Sequence, residues 1–194
     1  MGTKTRTIAN NLTSALGSQA IGSVQQVHYK ATTSFSGAGR GSSHIITGLN
    51  MTFNRESQTS KTLLKYNITI GTQIDMWICC KIQYSTDGAA FTDVPDIVDS
   101  FGSNTSIPRG HIGNGYRAGG SNSFSEYTSN PNVVEYLHDT SGIASNTIYY
   151  RIIIFNGHGT HNRTIYINRS ENMASTGDPN RNCGTSQLTA MEIL

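Results

Sequence analysis

The chain has 194 residues, enough for one domain with a buried core. Only 13% of them are charged and the formal net charge is +2, with the Arg and Lys residues scattered, so no nucleic-acid groove is encoded. Gly, Ser, Thr and Asn abound while clusters of Ala, Leu, Glu and Lys are nearly absent, a balance that predicts an all-β fold with long loops.

No apolar run is long enough to cross a bilayer, and the opening MGTKTRTIANN lacks the apolar centre of a signal peptide. Membrane insertion is not expected, and folding in a cytoplasm is. Cys79 and Cys80 are adjacent and face opposite sides of an extended strand, with Cys183 far along the chain; all three are expected to be reduced, and pairing with Cys183 after release stays open. Six Asn-x-Ser/Thr triplets begin at Asn11, Asn50, Asn67, Asn104, Asn162 and Asn168. They read as chance products of an Asn-, Ser- and Thr-rich composition.

Between Arg6 and Gly22, Ile8, Leu12, Ala15 and Leu16 fall at helical spacing, and Gly17 and Gly22 would stop whatever forms. Residues 1–22 are therefore expected to be an anchoring or docking segment, with a frayed terminus as the alternative, ahead of one folded domain over residues 23–194. Val24 to Lys30 opens a sheet, Ser36 to Gly41 reads as a glycine-rich loop, and Leu49, Met51 and Phe53 alternate within a strand over His44 to Asn54. Leu64, Tyr66, Ile68 and Ile70 alternate with polar residues as in a half-buried antiparallel strand. From Gln73 to Tyr84 the alternation is longest, with Ile74, Met76, Ile78, Cys80, Ile82 and Tyr84 on one face. Asp87-Gly88 then predicts a tight turn into a strand over Ala89 to Val94.

Periodicity fails between Pro95 and Pro131, which predicts a long loop. Val133 to His138 returns as a strand and Asp139 to Asn146 turns. The C-terminal run TIYYRIIIF, NGHGTHN, RTIYINRS and SQLTAMEIL completes the sheets. Ile148, Tyr150, Ile152 and Ile154 point one way and Tyr149, Arg151, Ile153 and Phe155 the other, so both faces of this strand are largely apolar and need covering. A partner sheet supplies one cover; a neighbouring subunit is expected to supply the other.

The ordered series SKTLLKYNITIG, LHDTSGIASNTIYY, YYRIIIF, IYINRS and TSQLTAMEIL resembles the short fibre and spike proteins of bacteriophages, particularly those of marine cyanobacteria, over roughly Val24 to Leu194. Such proteins carry a jelly-roll head similar to the trimeric globular heads of complement and tumour-necrosis-factor proteins. The resemblance implies a two-sheet antiparallel jelly-roll sandwich assembled as a homotrimer through Tyr149, Arg151, Ile153 and Phe155. It implies a non-enzymatic virion structural protein, a fibre, spike or capsid decoration protein on the virion surface, assembled in the host cytoplasm. Ile8, Leu12 and Leu16 would then dock on other virion proteins of the capsid, collar or tail. Roughly twenty residues stand where a fibre would have its long shaft, which favours a compact decoration protein or fibre tip.

For recognition, His111, Asn114, Tyr116, Arg117 and Tyr127 combine aromatic faces with planar donors and acceptors on the predicted loop from Arg109 to Tyr127, the chemistry that a host cell-surface glycan requires. A secreted lectin-like glycan-binding module is the alternative. A glycan-cleaving enzyme would need paired carboxylates at a cleft, which the sequence does not display. Ser85 to Phe91 looks like an incomplete Asp box, read here as a simple hairpin. The glycine-rich runs Gly37 to Gly41 and Gly113 to Gly120 lead into no helix and so are not phosphate loops. His158 and His161 could meet their symmetry copies around a threefold axis and bind a transition metal, but read more simply as solvent-exposed turn histidines. His138-Asp139, and Asp93, Asp96 and Asp99, lack the further ligands or nucleophile that calcium or catalytic roles need. No cofactor or metal is expected.

Overall fold

The computed structural model describes residues 21–38, 42–72, 76–94, 112–116, 129–156, 163–169 and 184–194. Among them twelve strands form: β1 (Ile21–Tyr29), β2 (Thr33–Ala38), β3 (Ser43–Ile45), β4 (Met51–Asn54), β5 (Lys61–Thr72), β6 (Met76–Ser85), β7 (Thr92–Asp93), β8 (Ile112–Tyr116), β9 (Ser129–His138), β10 (Thr147–Asn156), β11 (Arg163–Ile167) and β12 (Ser186–Ile193). Every pairing is antiparallel.

One sheet is built around β5, which pairs with β9 on one edge and, on the other, with β12 over Lys61 to Asn67 and then β11 over Ile70 to Thr72. β1 extends it beyond β12 and β2 beyond β11. The other sheet centres on β10, which pairs with β6 on one edge and with β4 and β3 on the other; β7 and β8 lie on the far edge of β6. Strands from the two ends of the chain are thus neighbours in both sheets, the interleaving of a jelly-roll sandwich.

The core follows from the period-two pattern. Leu64, Tyr66 and Ile68 of β5, Leu188 and Ala190 of β12, and Ile165 and Ile167 of β11 face Ile148, Tyr150, Ile152 and Ile154 of β10, Ile78, Cys80 and Ile82 of β6, and Met51 and Phe53 of β4. Each fully buried Leu, Ile, Met or Phe among them contributes about 1.5–3 kcal/mol of transfer free energy.

Four local expectations are corrected. Ser36 to Ala38 belongs to a strand rather than a glycine-rich loop, because the edge of β11 offers Ile165 and Tyr166 as partners for Phe35 and Ser34. The strand expected over His44 to Asn54 is broken by a 3-10 turn at Thr47–Leu49, where Gly48 lies against the ring of Tyr29 so closely that a Cβ would collide with it. Asp87-Gly88 does not make a two-residue turn: residues 86–91 form a longer loop and β7 is only two residues long. Ile112 to Tyr116, placed in a long loop from sequence, pairs with β6 as an edge strand.

Residues 73–75, including Ile74, lie outside the described residues, as do Ile8, Leu12 and Leu16 of the expected anchoring segment.

Candidate functional site

The outer face of β10 holds the arrangement of most functional interest. Its inner residues face the core as expected, while Tyr149 and Arg151 are half-buried and Ile153 is only 8% exposed within the single chain. The side chain of Phe155 lies outside the described residues. At Arg151 the chain's own 86–91 loop supplies part of the cover through Phe91.

That loop is shaped by two side chains. The Ser85 hydroxyl accepts from the N–H groups of Asp87 and Gly88 at 3.2 and 3.0 Å and donates to Asp87 Oδ1 at 2.7 Å. Asp87 Oδ1 in turn accepts from the N–H groups of Ala89 and Ala90 at 2.8 and 3.0 Å. These capped amides cannot pair with β6, so the chain curls instead of zipping into a tight hairpin. The donors pull the Asp87 carboxyl down to about 2, Ser85 contributing most. Gly88, at φ +76°, supplies the left-handed step.

The curl returns the chain over the sheet and sets the Phe91 ring 3.9 Å from the guanidinium carbon of Arg151. Arg151 Nε donates to Gln83 Oε1 at 2.8 Å, and Gln83 Nε2 donates to Asp93 Oδ1 at 2.8 Å. Arg151, Gln83 and Asp93 are register partners on β10, β6 and β7, so the row is a direct product of strand pairing. Lys81 completes it, its ammonium 2.7 Å from Asp93 Oδ2. Arg151 is thus engaged by a side-chain carbonyl of its own chain.

Between this loop and β4 lies an open cleft of ≈ 330 Å³, lined by Asn50, Thr52, Gly88, Phe91, Tyr149 and Arg151, with Met51 and Tyr150 beneath. Asn50 and Thr52 are exposed, and Thr52 is the register partner of Tyr149. The signal for this site was half visible: the Ser-x-Asp-Gly spacing marks the loop, but nothing in sequence marks Asn50 or Thr52 as its neighbours.

The recognition residues expected from sequence fare differently. Asn114 and Tyr116 stand on β8, opposite Ile78 and Met76 of β6. His111, Arg117 and Tyr127 lie outside the described residues, as do His158, His161, Asp96 and Asp99. Among the described residues, no group of three His, Cys, Asp or Glu could hold a metal ion. No helix among the described residues is long and apolar enough to cross a membrane.

His138 is no catalytic base at a surface: it is 2% exposed, packed on the Tyr84 ring at 4.7 Å, with Nδ1 3.0 Å from the Tyr150 hydroxyl. Burial, helped by the nearby charge of Arg55, pulls it down to about 4. Asn168, the last of the Asn-x-Ser/Thr positions, is fully buried, its amide donating to the carbonyls of Tyr29 and Ala31. That nitrogen is therefore not available to carry a glycan.

A second polar assembly closes one end of the sandwich. Arg55, 4% exposed, donates to the carbonyls of Ser60, Thr140, Ile143 and Ser145 at 3.3, 2.8, 2.8 and 2.6 Å. Glu192, fully buried, accepts from the backbone N–H groups of Ser23, Glu56 and Ser57 at 2.8–3.0 Å. Burial pushes its carboxyl upward, but the three N–H donors together outweigh that and hold it below the ordinary range. All donors and acceptors here belong to loops and strand ends, so the assembly is a structural clasp.

The described residues thus define an antiparallel jelly-roll sandwich carrying an open aromatic cleft with a fixed arginine. No protein-family model matches the sequence, and no curated protein matches it. Among solved structures, the chain is similar to one of the infectious bursal disease virus Gt strain, at 10% identity and a TM-score of 0.44 over 89% of this chain and 38% of that one. It is likewise similar to the T13 particle of that virus, at 10% identity and 0.45 over 90% and 36%, and to T=1 particles derived from it, at 12% identity and 0.43 over 88% and 36%. The chain spans less than two fifths of the length of these neighbours.

Proposed function

We propose that this chain is a virion structural protein, a phage fibre or spike head or a decoration protein on the particle surface, assembled as a homotrimer. The ordered strand series that resembles such heads supports the virion reading, and its members occupy interleaved positions of one sandwich. The observation that carries assembly lies on the outer face of the β5 sheet. Val24, Met191, Leu63 and Leu137 are register partners across β1, β12, β5 and β9, so four apolar side chains form one outward row. Val24 is 53% and Leu137 49% exposed, and Ile21 and Val133 add further exposed apolar surface on the same sheet. Water contact along such a row costs about 25 cal/mol per Å², and a second copy of the same row removes it.

We place the contact on this face rather than at Tyr149 and Arg151, which the 86–91 loop partly covers. The anchoring segment with Ile8, Leu12 and Leu16, and host attachment through the region from Arg109 to Tyr127, remain parts of the proposal that rest on sequence.

Sedimentation equilibrium at micromolar concentration is expected to give a trimer, and V24E with L137E to give a folded monomer. A wild-type monomer sinks the assembly. Antibody against this chain is expected to label purified particles of the virus that encodes it, and unlabelled particles sink the virion reading.

A further inference from the structure

The geometry points to the cleft between β4, β10 and the 86–91 loop as a binding site for a carboxylate-bearing sugar, with Arg151 as the residue that takes the carboxylate. The inference stands on the cleft and is independent of the virion reading.

Arg151 is held in place before any ligand arrives. Its guanidinium face rests over Phe91 at 3.9 Å and its Nε is committed to Gln83, which leaves the two terminal nitrogens without a hydrogen-bond partner among the described residues. No carboxylate forms an ion pair with it there, because Asp93, two places along the same cross-strand row, is engaged by Lys81 and Gln83. A guanidinium with an open planar fork is matched by a planar carboxylate, whose two oxygens accept two parallel N–H bonds.

The rest of the lining suits the body of a sugar. Tyr149 and Phe91 bring aromatic carbon to the lining for its C–H surface, and Asn50 and Thr52, both exposed, offer neutral donors and acceptors to its hydroxyls. Among the described residues Arg151 is the single charged one of the lining, which fits a monoanion better than a phosphate dianion. The ≈ 330 Å³ volume lies at the lower end of the about 300–1,000 Å³ usual for small-molecule sites. Backbone of the same strands carries Tyr149, Arg151 and Thr52, so the wall and the cation are fixed by sheet register.

The test is titration of the full chain, by NMR chemical shift or calorimetry, with methyl β-glucuronide and a short polygalacturonate, against methyl β-glucoside and glucose 6-sulfate. Saturable binding of the two carboxylate sugars is expected, at least tenfold tighter than the glucoside or the sulfate. R151A is expected to abolish that preference, and R151K, which keeps the charge but not the fork, to weaken binding at least tenfold. N50A, on the exposed wall, is expected to weaken binding severalfold with an unchanged Tm, which tests the site without disturbing the Arg151 row. The inference is overturned if no carboxylate sugar binds, if the glucoside or the sulfate binds equally well, or if folded R151A binds as the wild type does.

Discussion

His138 of β9 and Tyr150 of β10 meet across the two sheets, imidazole Nδ1 3.0 Å from phenol oxygen, both side chains buried. The hydrogen bond ties the sheets together at a point where a charge cannot be tolerated. Burial and the Arg55 guanidinium favour the neutral ring, so the folded value of about 4 lies below the ordinary 6.5.

Acid stability follows from the sign of that shift. Between pH 6.5 and about 4 the unfolded chain binds a proton at His138 that the folded chain does not, so stability falls as the pH falls through this window. The loss is on the order of 3 kcal/mol at the acid end, at about 1.4 kcal/mol per unit. Asp87 and Glu192, whose folded values are lowered, lose their contribution only further into acid. Urea midpoints at pH 7 and pH 4.5 check this: the wild type is expected to drop, and H138F to show a smaller drop. Equal drops would remove His138 as the cause.

The Arg55 clasp is expected to dominate the stability of its end of the sandwich. Arg55→Met strands the carbonyls of Ile143 and Ser145, while those of Ser60 and Thr140 keep the Thr140 hydroxyl and the Ile143 N–H, and Glu192→Ala strands three backbone N–H groups; each buried unpaired group costs about 1–3 kcal/mol. Losses of at least about 3 kcal/mol are expected for each in urea titrations. Arg55→Lys is expected to recover less than half, since an ammonium lacks the fork that reaches carbonyls on two loops. A loss below 1 kcal/mol for Arg55→Met would mean that water replaces the guanidinium.

The core was legible in the sequence because period-two alternation reports directly which side chains face inward, and Leu64, Tyr66, Ile68, Ile148, Tyr150, Ile152 and Ile154 all do. Register was not legible, and the site depends on register. Arg151 reads as a charge on an otherwise apolar face; only its pairing opposite Gln83, and the fold-back of Phe91, show why it is there. The Asp-Gly dipeptide suggests a tight turn because it tolerates positive φ, whereas the side chains of Ser85 and Asp87 capture four amides and lengthen the loop. β8 was missed because Gly113 and Gly115 hide an edge strand whose pairing is supplied by β6.

Gly88 is expected to resist substitution for a conformational reason. At φ +76° an added Cβ is disfavoured by about 1–2 kcal/mol, although the Tyr149 ring leaves ordinary contact room for it at 3.5 Å. G88A is therefore expected to lower stability by about that amount, and G88N by less, since Asn tolerates the left-handed region. An unchanged midpoint for G88A would show that the 86–91 loop relaxes to another conformation.

The left-handed residue Asn168, at φ 61°, is a different case, because its side chain does more than tolerate the angle. Nδ2 donates to the carbonyls of Tyr29 and Ala31 at 2.8 and 3.0 Å, Oδ1 accepts from the Ser186 hydroxyl at 2.6 Å, and the Ser186 hydroxyl in turn accepts from the Thr69 N–H at 3.1 Å. The amide thus joins the β1–β2 connection, the end of β11 and the start of β12 at a fully buried point. Asn168→Gly keeps the angle free of strain but leaves two carbonyls and a hydroxyl to find other partners, for an expected loss of about 2–4 kcal/mol. Asn168→Asp should be worse although it is the closer in shape, because it puts a carboxylate oxygen, which can only accept, against two carbonyl oxygens. The ordering wild type, Asn168→Gly, Asn168→Asp at pH 7 is the expected result in urea titrations, and the gap between the last two should narrow as the introduced carboxyl is protonated in acid. If Asn168→Asp were as stable as Asn168→Gly at pH 7, the contacts to Tyr29 and Ala31 would be dispensable and the junction would be held by backbone pairing alone.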